Sequence, residues 1–151
     1  MSKNLIIYRE MGEKSKRHQR YFQKLAELED KKEFIEENLG EEKKFLKDRV
    51  LRKAMYKEFQ ELVEIISDLS AMIVKDKGKV VEDDYSNMEK LSKILGFDEK
   101  LIENLKKANG LRNILVHEYN GIIDRQAYYS IKEILPSVKE FGEKLEKWLE
   151  I

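Results

Sequence analysis

The sequence predicts an all-α protein, an antiparallel bundle of about four to five helices. Apolar residues recur at helical spacing between well-separated stop signals. One proline and seven glycines in 151 residues leave little punctuation for a β-protein. Strand-like alternation is confined to Leu5-Ile6-Ile7-Tyr8 and Lys79-Val80-Val81. A chain of this length fits one domain with a substantial core, expected to span 1–151 with 1–14 as an extra N-terminal segment.

The first long helix is expected from about Ser15 to Asn38, with Tyr21, Leu25, Leu28, Ile35 and Leu39 as its stripe and Gly40 as a left-handed stop. A second is expected from about Glu41 to Asp76, carrying Leu46, Val50, Phe59, Leu62, Val63, Ile66, Leu69 and Ile73, and closed by Asp76-Lys77-Gly78-Lys79. Ser86-Asn87-Met88-Glu89 reads as a capping box opening a short helix through Met88, Leu91 and Leu95 to Gly96. Asp98 caps the next helix, through Leu101, Leu105, Ala108 and Leu115. A loop at Asn120-Gly121 precedes a last helix, capped by Asp124, running to Trp148 and kinked by Pro136.

Composition narrows the function. Residues are 41% hydrophobic and 40% charged, with 30 basic and 30 acidic side chains giving zero net charge. Overall electrostatics therefore do not grip nucleic acid or membrane, and any such binding needs a local patch. The Lys and Glu bias is a hyperthermophile signature and equally that of a long solvated bundle. Without cysteine there is no disulfide or thiolate metal site, and His18 and His117 alone do not make a histidine-rich one. No metal or cofactor is expected. Leu5 to Tyr8 is too short for a signal peptide or membrane span, so the cytoplasm is the expected compartment.

The informative stretch is Arg112-Asn113-Ile114-Leu115-Val116-His117-Glu118-Tyr119. At about 100° per residue, Arg112 and Tyr119 fall within roughly 20° of the Leu101 direction, on the stripe that should face another helix. A guanidinium there is costly unless it is paired or lies in a cleft. Asn113 and His117 are one turn apart and within reach of one phosphate-sized group. The structural alternative is an Arg112 bridging a buried carboxylate, with His117 a satisfied core histidine.

This eight-residue segment resembles the signature of HEPN-superfamily ribonucleases, and specifically of the HepT-like toxins: Arg-x4-6-His, with Asn after the Arg and Tyr two after the His. Asp48 to Ala54 followed by Glu64 to Leu69 is similar to the family's second helix, and Asp84-Tyr85 with Met88 and Leu91 to its next segment, so that the resemblance covers roughly residues 40–145. It implies an all-helical homodimer whose two motifs face a shared cleft and cleave RNA, such as tRNA or mRNA, without metal. Arg112 and His117 would be catalytic, with Asn113 in support. It also implies a partner, a minimal nucleotidyltransferase antitoxin of the MntA type that adds AMP to Tyr119. Two other functions compete with this one. One is a catalytically silent HEPN module that dimerises and docks the nucleotidyltransferase; the other is an unrelated helical adaptor.

The chemistry agrees with the resemblance. Activating a ribose 2′-hydroxyl against phosphorus needs proton transfer near neutrality, which suits histidine. A developing oxyanion suits the fixed charge of arginine. Tyr119 has a simpler reading as a helix-end aromatic with its hydroxyl in water. A basic cluster of Lys14, Lys16, Arg17, His18, Arg20 and Lys24, interleaved with Tyr21 and Phe22, is suited to contact RNA phosphates and bases, or else is a solvated face balancing the acidic stretch Glu33 to Glu42.

Overall fold

The structure is a computed structural model that describes residues 16–117 and 124–150. They form six helices: α1 (Lys16–Asn38), α2 (Glu42–Lys47), α3 (Arg49–Asp76), α4 (Asp84–Leu95), α5 (Glu99–His117) and α6 (Asp124–Leu149). No strand occurs among the described residues; Lys79 to Val81 is exposed irregular backbone, and Leu5 to Tyr8 lies outside them.

In α1 the expected stripe is buried, from Tyr21 through Leu25 and Leu28 to Ile35. Gly40 turns the chain out of it at φ +63°, a conformation that costs glycine nothing sterically. The expected second helix is two. Asp48 adopts extended backbone and its carboxylate accepts the Leu51 amide at 3.0 Å, capping α3. Arg52 then reaches back, its Nη1 donating to the carbonyls of Phe45 at 3.2 Å and Leu46 at 2.5 Å, and so occupies two orphan carbonyls that end α2. The break changes the helical phase. Phe45 is fully buried, whereas Val50, assigned to the buried stripe, is 79% exposed.

The capping box is also corrected. Asp83, three residues earlier, accepts the Ser86 amide at 2.8 Å, so α4 starts at Asp84 and Ser86 is already inside the helix. Asn87 instead turns to the backbone of Glu82, and Glu89 reaches Lys106 on α5 at 2.5 Å. Gly96 ends α4 at φ +69°, and Asp98 caps α5 by accepting the Leu101 amide at 2.8 Å, both as expected. Asp124 opens α6, and Pro136 lies within it.

Side-chain contacts give the helix directions. Tyr21 with Asp76 and Lys31 with Glu61 set α1 antiparallel to α3. Tyr21 against Trp148 and Tyr128 against the Gly40 carbonyl do the same for α1 and α6. Phe97 against Phe141 and Asn104 against Ser137 set α5 antiparallel to α6. One end of the bundle therefore gathers the end of α1, α2, the starts of α3 and α6, and the end of α5. The core between these helices is one apolar cluster that includes Phe45, Phe59, Ile66, Leu105, Ile131 and Phe141.

Candidate active site

Helix α5 carries the motif to that end of the bundle. Its stripe of Leu101, Leu105, Ala108 and Leu115 is buried, which seats the helix against its neighbours. Arg112 shares the stripe's direction but is only half-buried, and Val116, on nearly the same bearing, is 45% exposed. Leu115 keeps the last turn of α5 on the core, so that Arg112 is partly covered at its edge while Val116 and His117 face outward.

Among the described residues the guanidinium has one hydrogen bond, Nη1 donating to Asn113 Oδ1 at 3.0 Å. Its Nε is buried without a hydrogen-bond partner. Among the described residues no carboxylate forms an ion pair with Arg112. His117 is exposed in the last turn of α5, which removes its reading as a core histidine. Tyr119, with Asn120-Gly121, lies outside the described residues.

Around this end, polar contacts tie the start of α6 to the other helices. Tyr56 donates its hydroxyl to Asp124 at 2.6 Å, with Arg52 Nε 3.5 Å from the same carboxylate. Burial, followed by that acidic partner, holds the Tyr56 phenol well above its ordinary value. Arg125 Nε lies 2.7 Å from Glu42, which also accepts the Tyr129 hydroxyl. The hydrogen bond from Tyr129 and the charge of Arg125 keep the Glu42 carboxyl below the usual carboxylate range. The segment that leaves His117 is therefore received, seven residues later, by an anchored Asp124.

The family model described as Ribonuclease HepT-like matches residues 10–145. The chain belongs to the HepT-like ribonuclease family. A candidate RNase of Archaeoglobus fulgidus is 38% identical over 134 residues, covering 89% of this chain and 96% of its own. A second from the same organism is 38% identical over 106 residues, 70% of this chain and 76% of its own. A candidate RNase of Methanocaldococcus jannaschii is 43% identical over 76 residues, 49% of this chain and 85% of its own. No solved structure is significantly similar to the chain. The family match takes in α1 as well as the region whose resemblance was legible in the sequence.

In this HepT-like ribonuclease the basic cluster is placed far from the motif. Lys14 lies outside the described residues, and Lys16 and Arg20 are exposed. Arg17 is engaged with Asp76, its Nε at 2.6 Å from Oδ2, and Lys24 with Asp68 at 3.0 Å, so these cations meet α3 rather than the Glu33 to Glu42 stretch. Tyr21 and Phe22 are each 2% exposed and face the core, which leaves neither ring free to stack a base. Burial pushes the Tyr21 phenol up to about 12, against the opposing charge of Arg17. Arg17, His18, Tyr21, Asp76, Lys77, Trp148 and Leu149 line a cleft of about 490 Å³ at the opposite end of the bundle from His117. The length of α6, 26 residues or about 39 Å, separates the two.

The motif does not flag Asn109. This residue is one turn before Arg112 on α5, 1% exposed, and its Oδ1 has no hydrogen-bond partner. Only its position three residues before the motif arginine hints at a role.

Proposed function

We propose that the chain is a metal-independent endoribonuclease of the toxin–antitoxin kind, acting as a homodimer and restrained by a nucleotidyltransferase antitoxin. The observation that supports it best is a half-buried guanidinium with no carboxylate partner among the described residues, five residues before an exposed imidazole on the same helix. An arginine with no anionic partner among the described residues is suited to an external anion, such as an RNA phosphate. Among the described residues, no group of three or more His, Asp or Glu side chains comes together to hold a metal ion.

The reaction is transesterification. A base removes the proton of the ribose 2′-hydroxyl, the 2′-oxygen bonds to the adjacent phosphorus, and the bond from phosphorus to the 5′-oxygen breaks. The leaving 5′-oxygen takes a proton, leaving a 2′,3′-cyclic phosphate and a free 5′-hydroxyl. His117 supplies one proton-transfer group, and His117 of a second copy across a two-fold cleft supplies the other. Arg112 stabilises the charge that grows on the phosphorane oxygens. Asn113 keeps Arg112 in place. AMP on Tyr119 would put bulk and negative charge beside Arg112 and His117, and so exclude RNA.

Purified protein incubated with total RNA and with tRNA, without added metal, should produce fragments ending in a cyclic phosphate. His117→Ala should lower the rate on the order of 10²-fold or more while leaving the circular dichroism spectrum unchanged. Equal cleavage by the variant, freed of contaminating nuclease, would sink the assignment. Binding of the nucleotidyltransferase with no cleavage by either protein would favour the silent docking module.

A further inference from the structure

Helix α4 lies antiparallel on the motif helix, with Glu89 2.5 Å from Lys106 and, one turn earlier, Tyr85 over Gly110. Glycine is what gives the phenol its seat. A Cβ at Gly110 would already meet the Tyr85 hydroxyl oxygen at 3.6 Å, and a longer side chain would need the space the phenol fills. At about 100° per residue, Asn113 and His117 lie within roughly 60° of Gly110 around α5, so they continue the same face toward the end of the helix. Helix α4 begins at Asp84 and so covers that face only as far as Gly110. Tyr85 therefore stands at the edge of the motif, about 10 Å along α5 from His117. Between them is Asn113, which accepts from the Arg112 guanidinium.

The chain itself makes little use of this phenol. Tyr85 is 38% exposed, and among the described residues its hydroxyl makes no hydrogen bond and its ring pairs with no other ring. Tyr129, also exposed, differs on both counts: its hydroxyl goes to Glu42 and its ring packs edge-on against Tyr128. An open aromatic ring beside an arginine and a histidine suited to a phosphodiester is a platform for a base, since every nucleobase has a π-face. We propose that Tyr85 is a substrate-binding residue, stacking the base of a nucleotide next to the scissile phosphate, and that Gly110 seats it there. That the phosphate is cleaved rests on the function proposed above. Stacking of the base does not.

Binding is measured apart from cleavage, with a short labelled oligoadenylate and protein carrying His117→Ala so that the RNA stays intact. Adding Tyr85→Ala should weaken binding on the order of tenfold. Tyr85→Phe keeps the ring and should bind nearly as tightly as the parent. Gly110→Leu leaves the tyrosine in the chain but fills its seat, and should lose about as much as Tyr85→Ala. In the parent, the ring protons of Tyr85 should shift upfield in the NMR spectrum as RNA is added, through the ring current of the stacked base. With His117 in place, Tyr85→Ala should raise KM on the order of tenfold with little change in kcat. Tyr85 ring signals that do not move at saturating RNA would overturn the proposal. So would unimpaired binding by a folded Tyr85→Ala or Gly110→Leu, or a Tyr85→Phe as weak as Tyr85→Ala. If the wild type cleaves no RNA while binding still depends on the Tyr85 ring, the nuclease reading falls and the stacking site stands. If RNA is neither bound nor cleaved, both fall.

Discussion

At the scale of single residues, the candidate site was legible where chemistry restricts the choice of side chain. Arg112 and His117 stood out because few residues serve an oxyanion and a proton transfer, and their spacing put the arginine on an apolar stripe. What the spacing did not show was how far each side chain is covered: Arg112 is half-buried and His117 exposed, although Leu115 between them packs in the core. Asn109 was not legible at all, because an asparagine inside a helix looks the same in a sequence whether it is buried or solvated. Arg112→Lys tests the arginine: a point charge does not reproduce a planar fork held through Nη1 by Asn113. Cleavage should fall by on the order of 10² or more with the fold intact, and near-normal activity would show that charge alone suffices. Tyr119→Phe tests the restraint. It should keep most cleavage activity yet escape the partner, because only the nucleophilic hydroxyl is lost. The mass increase of one AMP after incubation with nucleotidyltransferase and ATP-Mg²⁺, on any residue other than Tyr119, would refute that position.

At the scale of elements, the stripes of α1, α5 and α6 followed from periodicity, and the stops at Gly40, Gly78 and Gly96 follow from positive φ angles that favour glycine. The errors came where two caps compete. Asp48 stands in a continuous charged and apolar run that reads as helix throughout, and only a phase change from Phe45 to the later stripe betrays the break. Asp83 accepts the Ser86 amide that the expected box would give to Glu89, and so takes the N-cap position three residues earlier. The break at Asp48 also has a consequence for the site. It frees Arg52 to bond the end of α2 and to approach Asp124 at the start of α6, which anchors the chain beyond His117. Asp48→Ala removes the cap on α3, and stability should fall by about 1 kcal/mol. For a chain of this length that is a drop of roughly 2–4 °C in Tm by calorimetry. An unchanged Tm would mean that Arg52 alone holds the α2–α3 corner.

At the scale of the whole molecule, one chain presents one motif histidine, whereas the proposed reaction takes up a proton at one oxygen and delivers one to another. The end of α5 offers a means of bringing a second copy. Val116 is 45% exposed and lies about 40° from Arg112 around the helix, one residue before His117. An exposed apolar side chain beside a charged site suits a self-complementary interface, in which the same patch serves both copies. A two-fold axis near Val116 would place both motifs on one cleft, with apolar contact holding the copies and the charged groups facing the space between them. Light scattering should therefore find twice the 18.0 kDa chain mass at micromolar concentration. Val116→Glu would bring two like charges together at the axis. It should yield a folded monomer that has lost cleavage although Arg112 and His117 are untouched. Raising the concentration of that variant should restore neither mass nor activity. A wild type that cleaves RNA as an 18.0 kDa monomer, or a Val116→Glu monomer with full activity, would show that one histidine is enough and that the second proton comes from elsewhere in the chain.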